Sequence, residues 1–201
     1  MPYALLVLVL ALLAGPAQAQ IGNPGFMLPD TRFDEDGLPL PHQPNADDRL
    51  FAILAAEGNL AEVRLGELAA EKAATDSVKT FAQRMAEDHS TALEELKAIA
   101  AESGIALPEA LNAEHQALLE QLEQLEGADF DLAYMRAQVV EHQKSTQLLI
   151  WEVDLGQDGA LQRFAGSGLP LIIGHLEEAR AIRAQLTARQ LALAEPPVSS
   201  E

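Results

Sequence analysis

The chain has 201 residues, enough for one ordinary domain with tails, and it contains no cysteine, so its hydrophobic core must hold the domain without disulfides. Its formal net charge is −18 at pH 7, which disfavours binding to nucleic-acid backbones and to anionic lipid headgroups.

Residues 1–19 have the pattern of a cleaved signal peptide. The apolar run at residues 4–14 is too short to span a bilayer, and it precedes Gly15-Pro16 and an Ala-x-Ala site at residues 17–19. Cleavage leaves Gln20 as the first residue of a periplasmic or secreted protein. No cysteine offers a lipid-anchor site, and no later apolar run reaches membrane-spanning length, so we expect no membrane span in the mature chain. Because residues 1–19 contain no Lys or Arg, an uncleaved anchor is the alternative.

Two segments lack helical and strand periodicity. Residues 20–45 are predicted to be a disordered leader, because proline removes a backbone donor and restricts the residue before it. The prolines of this leader are Pro24, Pro29, Pro39, Pro41 and Pro44. Residues 193–201 are predicted to be a disordered tail.

Residues 46–192 are predicted to form an all-α, ferritin-like antiparallel four-helix bundle, because helix-forming residues dominate and β-branched residues are sparse. The expected long helices cover residues 47–74, 76–103, 129–155 and 158–193, with Asp76 and Asp158 as N-caps. One or two residues join the first pair and the last pair, which favours two hairpins. A short helix at residues 113–126 is expected in the long crossover between them.

Three of the predicted helices each place one histidine on an apolar stripe: His89, His142 and His175. At about 1.5 Å of rise per residue, all three lie near the middle of their helices and therefore near one layer of the bundle. The first helix offers Glu57 and Glu62 near its own midpoint, and the pattern leaves open which of them faces inward.

Three imidazoles and a carboxylate suit zinc, copper, nickel or iron, so His89, His142, His175, Glu62 and Glu57 are the candidate ligands of a transition metal ion. The alternative is a hydrogen-bonded polar layer that fixes the helix register.

Other features are interpreted as structural. Pro170 predicts a kink or break in the last helix. His42 and His115 are interpreted as bystanders, while Asp88 and Glu141 are expected to point away from the seam that carries the histidines.

The ordered motifs of the chain resemble a known family. Glu62-Val63-Arg64-Leu65-Gly66, residues 78–85 with Asp88-His89, Phe130-Asp131-Leu132-Ala133-Tyr134, and Pro170 with His175 are similar to the bacterial exported domain of unknown function 4142. The resemblance implies a ferritin-like bundle, sometimes described as an outer-membrane protein, and brings no established activity. It does not imply a ferritin, because no Glu precedes a histidine here in the Glu-x-x-His spacing of di-iron bundles.

Two classes of function follow from the sequence, and their protein partners are unknown. The first is an exported bundle that binds a metal ion through a layer of His and Glu side chains. The second is a non-catalytic envelope or stress-related interaction bundle whose core histidines are structural. No phosphate-binding loop or nucleophile motif indicates an enzyme.

Overall fold

A computed structural model describes residues 40–194 of the chain. The domain in this range is all-helical, with five helices and no strand. The helices are α1 (Ala46–Lys72), α2 (Asp76–Glu102), α3 (Ala113–Glu123), α4 (Gly127–Leu155) and α5 (Gly159–Ala194). The predicted signal peptide, the leader up to residue 39 and residues 195–201 lie outside the described residues.

Side-chain caps fix most helix starts close to their predicted positions. Asn45 caps α1 in a capping box with Asp48. Asp158 accepts hydrogen bonds from the amides of Ala160 and Leu161, so it caps α5 as predicted.

The start of α2 differs from the prediction. Thr75, and not Asp76, is the N-cap residue, and it makes no side-chain cap hydrogen bond. The amides of Ala74 and Thr75 instead donate to the two carboxylate oxygens of the buried Asp131 on α4, both at 2.9 Å. A tertiary contact therefore replaces the local cap that the sequence suggested.

The last helix is continuous through Pro170, so of the predicted kink or break the break does not occur. It ends at Ala194, within one residue of its predicted end. At the other boundaries, α3 ends three residues earlier than predicted and α4 begins two residues earlier.

The four long helices pack around a shared interior. The helix α1 packs along α2 and α4 along α5, while α1 also contacts α4 and α2 contacts α5. The short α3 lies against α1 and α4. The interior contains two apolar clusters, one centred on Phe81 and Phe130 and the other on Phe51 and Phe164.

The inward face of α1, which the sequence left open, is identified by the burial of its side chains. Leu50 and Leu54 are 47% and 40% exposed, whereas Phe51 and Ala55 are buried. The core face of α1 therefore follows Phe51 and Ala55 toward Glu62, which is 3% exposed. The rotation of α1 about its axis therefore places Glu62, and not Glu57, in the interior.

Candidate metal centre

His89, His142 and His175 meet in the interior. One ring nitrogen from each lies within 4.8 Å of the others. The ring centroids are separated by 5.4 Å for His89 and His142, 5.8 Å for His89 and His175, and 5.4 Å for His142 and His175. The three side chains are at most 4% exposed, so they form a compact, buried group that we call the histidine triad.

The triad lies between the two apolar clusters. On α2, the residues of the first cluster precede His89 and those of the second follow it, and the same order holds around His142 on α4. On α5, residues 161–165 belong to the second cluster, and residues 176–182, directly after His175, belong to the first. A polar layer thus interrupts a core that is otherwise apolar.

Each histidine has one ring nitrogen beside a hydrogen-bond acceptor of the protein. These contacts are His89 Nδ1 to Asn59 Oδ1, His142 Nδ1 to the Gln138 backbone oxygen, and His175 Nε2 to Asp88 Oδ2, all at 2.9 Å.

The acceptors determine where the ring protons sit. A backbone carbonyl and a carboxylate only accept, so the facing nitrogens of His142 and His175 must donate. Asn59 Nδ2 donates to the Ala55 carbonyl at 2.8 Å, which leaves its Oδ1 to accept from His89. In the neutral rings, the second nitrogen therefore carries a lone pair.

Within residues 40–194, those second nitrogens have no hydrogen-bond partner. They are Nε2 of His89, Nε2 of His142 and Nδ1 of His175, and all three are buried. Burial lowers the pKa of each ring, well below its usual value for His89 and to about 4 for His142, so the rings stay neutral near pH 7. The triad thus presents three unprotonated imidazole nitrogens.

Glu62 lies on the outer side of His142. Its Oε1 is 3.8 Å from His142 Nδ1, and its Oε2 accepts a hydrogen bond from Gln138 Nε2 at 2.7 Å. Burial raises its pKa to about 8, an effect that the hydrogen bond from Gln138 only partly offsets. Glu62 therefore lies beside Nδ1 of His142 and not beside the unpartnered Nε2.

Glu57 lies elsewhere. Its Oε2 accepts a hydrogen bond from Asn112 Nδ2 at 3.0 Å, which ties α1 to the residue that caps α3. The structure thus brings three of the five predicted ligands together, places Glu62 next to them, and leaves Glu57 on a half-buried face of α1.

Comparison with known proteins identifies the family. The profile described as "Domain of unknown function (DUF4142)" matches residues 38–182, well over half of the chain. The chain belongs to the DUF4142 family. The fold of this DUF4142 domain is similar to the crystal structure of a DUF305 fragment from Deinococcus radiodurans, with a TM-score of 0.64 and 13% identity, covering 71% of this chain and 99% of that one. No curated protein matches the sequence significantly.

No helix within residues 40–194 of this DUF4142 chain combines the length and apolarity that crossing a membrane requires. This finding leaves the first 39 residues, and with them the predicted signal peptide, outside its range.

Sequence reasoning missed the acceptors behind the triad. Asp88 was expected to point away from the seam, yet it contacts His175 across the α2–α5 interface. Asn59 and Gln138 were not singled out, although Gln138 lies four residues before His142, the spacing at which side chains share a helix face.

His115 was interpreted as an exposed bystander, but it is only 7% exposed. Its Nε2 lies 3.4 Å from Glu141 Oε2, so α3 and α4 are joined by a half-buried polar contact. His115 is nevertheless outside the triad.

A second cluster of buried polar side chains in this DUF4142 domain lies at the start of α1. Asp48, Glu152 and Asp158 are all fully buried there. Asp48 accepts hydrogen bonds from the amides of Gln157 and Asp158 at 2.8 and 3.0 Å. Burial raises the pKa of Glu152 to about 9, and the neighbouring charges of Asp48 and Asp158 add to this effect. Glu152 therefore keeps its proton near neutral pH.

Proposed function

We propose that this DUF4142 protein is an exported metal-binding bundle that holds one transition-metal ion between His89, His142 and His175. The observation that carries the proposal is a close group of three buried histidines, each with one ring nitrogen that has no hydrogen-bond partner among the described residues. Each buried polar group left unpaired costs about 1–3 kcal/mol, and a coordinated ion would satisfy all three at once.

Ferritin-like antiparallel topology supports this role. In α1 and α5 the N-terminal half contributes to the Phe51–Phe164 cluster and the C-terminal half to the Phe81–Phe130 cluster. In α2 and α4 the order is reversed. Helices in contact therefore run in opposite directions, and their midpoints share one layer. Such bundles commonly build metal sites from facing side chains in their interior.

The outer contacts of the triad are those that metal-binding histidines use. A ligating histidine generally donates its other ring proton to a carboxylate or a carbonyl, which fixes the tautomer and the ring orientation. The carboxylate of Asp88, the Gln138 carbonyl and the amide oxygen of Asn59 supply these acceptors. A purely structural polar layer has no need to leave the three inner nitrogens unpaired.

The donor set favours borderline metals such as zinc, copper or nickel, because neutral imidazole nitrogens suit them better than they suit magnesium or calcium. Tetrahedral zinc holds its nitrogen ligands about 3.3 Å apart, given bonds of about 2.0–2.1 Å. The nitrogens of the triad lie within 4.8 Å of one another, so modest rotations of the rings would bring them to bonding distance. A fourth ligand would come from outside the triad.

Export is supported by the signal-peptide pattern of residues 1–19, and we propose that the mature protein acts in the periplasm or outside the cell. A net charge of −18 would attract cations to its surface there. Binding or buffering of the ion is therefore the role that we propose, without a reaction.

Elemental analysis of the exported, untagged protein tests the proposal. We expect close to one equivalent of metal per chain after reconstitution, and loss of that metal in His142→Gln. The control is His115→Ala, which removes a histidine outside the triad and should keep the metal. Circular dichroism establishes that both variants stay helical. Equal metal content in a folded His142→Gln, or no metal in the native protein, would contradict the proposal and favour a structural polar layer in an interaction bundle.

A further inference from the structure

A partly open cavity of about 280 Å³ lies beside the triad. All four long helices line it, and its wall includes His89 together with the acceptors Asn59 and Asp88. The cavity therefore borders the triad through His89.

Most of the cavity wall is apolar. Leu148, Phe164 and Ile172 line it, and Leu54 and Leu171 contribute although they are 40% and 47% exposed. A cavity of about 150 Å³ with such walls can hold benzene. The larger volume here therefore has room for one aromatic ring, or a branched alkyl group, with a short tail.

The charged residues of the wall are all acidic. Asp88 and Glu95 line the cavity, and no Lys or Arg is among its described lining residues. In addition, His89 is only 4% exposed and its Nε2 has no hydrogen-bond partner. An anionic ligand would meet two carboxylates here without a compensating cation, whereas an ammonium group would pair with them.

We infer that this cavity binds a small amine, whose apolar ring or branched alkyl body packs on Phe164, Leu148 and Leu171. Its protonated amino group pairs with Glu95, and Asp88 adds further negative charge to the same wall. The inference does not depend on a bound metal. A divalent ion behind His89 would add positive charge nearby, so we expect the amine to bind more weakly to the metal-loaded protein.

Two glycines on α5 provide a matched pair of variants. A Cβ at Gly168, which lines the cavity, would meet no atom within 4 Å, so Gly168→Leu can fill the cavity without a backbone clash. Gly174, six residues further on, is equally open but exposed and outside the cavity wall. Both substitutions favour the helix, because leucine has a higher helix propensity than glycine.

The test is calorimetric titration of the metal-free full mature chain with phenethylamine and with its neutral analogue 2-phenylethanol. We expect the amine to bind at least about tenfold more tightly than the alcohol, since tenfold corresponds to only about 1.4 kcal/mol. Gly168→Leu should abolish binding of the amine, and Gly174→Leu should leave it unchanged. In Glu95→Gln, the preference for the amine should fall.

Three results would overturn the inference. These are equal affinity for the amine and the alcohol, undiminished binding in Gly168→Leu, and no binding of the amine at millimolar concentration to the native protein. None of them bears on the metal content of the triad, so failure here and failure of the proposed metal site remain distinguishable.

Discussion

Replacing Glu152 with glutamine should stabilise the domain, and more strongly as the pH rises. Glu152 is fully buried near Asp48 and Asp158, and its pKa rises from 4.5 to about 9 on folding. The folded state therefore binds this proton more tightly than the unfolded state, so the stability of the wild type falls as the pH increases between these two values. Glutamine is neutral at every pH and does not take up a proton on folding.

The magnitude follows from linkage. Between pH 4.5 and about 9, each increase of one pH unit lowers the free energy of unfolding of the wild type by up to about 1.4 kcal/mol. Near pH 7.5, three pH units above the unfolded-state pKa of 4.5, the free energy of unfolding of Glu152→Gln therefore exceeds that of the wild type by about 4 kcal/mol. This figure is an upper limit, because the glutamine amide must find acceptors for two hydrogens where the carboxylic acid has one.

Urea unfolding followed by circular dichroism, at several pH values with chelator present, measures this difference. Comparing the variant and the wild type at the same pH cancels the titration of every other group. The exposed Glu71 provides the control, because Glu71→Gln should change stability little at any pH. A difference that does not grow with pH would refute the protonated state assigned to Glu152.

Three further predictions concern packing and the triad. A Cβ at Gly66 would lie 2.8 Å from the Ala82 carbonyl oxygen, so Gly66→Ala should lower the free energy of unfolding by about 1–3 kcal/mol in thermal denaturation. A Cβ at Gly58 would meet no atom within 4 Å, so Gly58→Ala should raise the free energy of unfolding by up to about 1 kcal/mol in the same assay. Asp131→Ala should cost about 1–3 kcal/mol in urea unfolding, because the amides of Ala74 and Thr75 before α2 lose their acceptor. Asp88→Asn should weaken metal binding about 10- to 100-fold in a competition titration, because the orienting carboxylate of His175 is lost, and unchanged affinity would contradict that role.

The histidine layer could be predicted from the sequence because helical rise is regular. His89, His142 and His175 each lie near the middle of a helix and on its apolar stripe, and short hairpins align the midpoints of the helices. Counting residues was therefore enough to place the three rings at one height.

The acceptors behind the rings depend on helix rotation, which residue counts do not give. The rotation of α1 exposes Leu54 and buries Glu62, and it brings Asn59 to His89. In the same way, Asp88 contacts His175 only because α2 and α5 pack together, across 87 positions of sequence.

The burial of Asp48, Glu152 and Asp158 could not be predicted from the sequence for a related reason. Glu152 is one glutamate among many near a helix end, and nothing local marks it as buried. Its neighbour Asp48 reaches the loop before α5 across about 110 positions of sequence, through contacts that only the tertiary fold creates.

The most direct test of the metal site is anomalous diffraction from crystals of the zinc-loaded protein. We predict one anomalous peak, from a zinc ion about 2.0–2.1 Å from His89 Nε2, His142 Nε2 and His175 Nδ1. The opposite ring nitrogens should still donate to Asn59, to the Gln138 carbonyl and to Asp88. A peak held only by surface carboxylates, with the three rings still unliganded, would contradict the account.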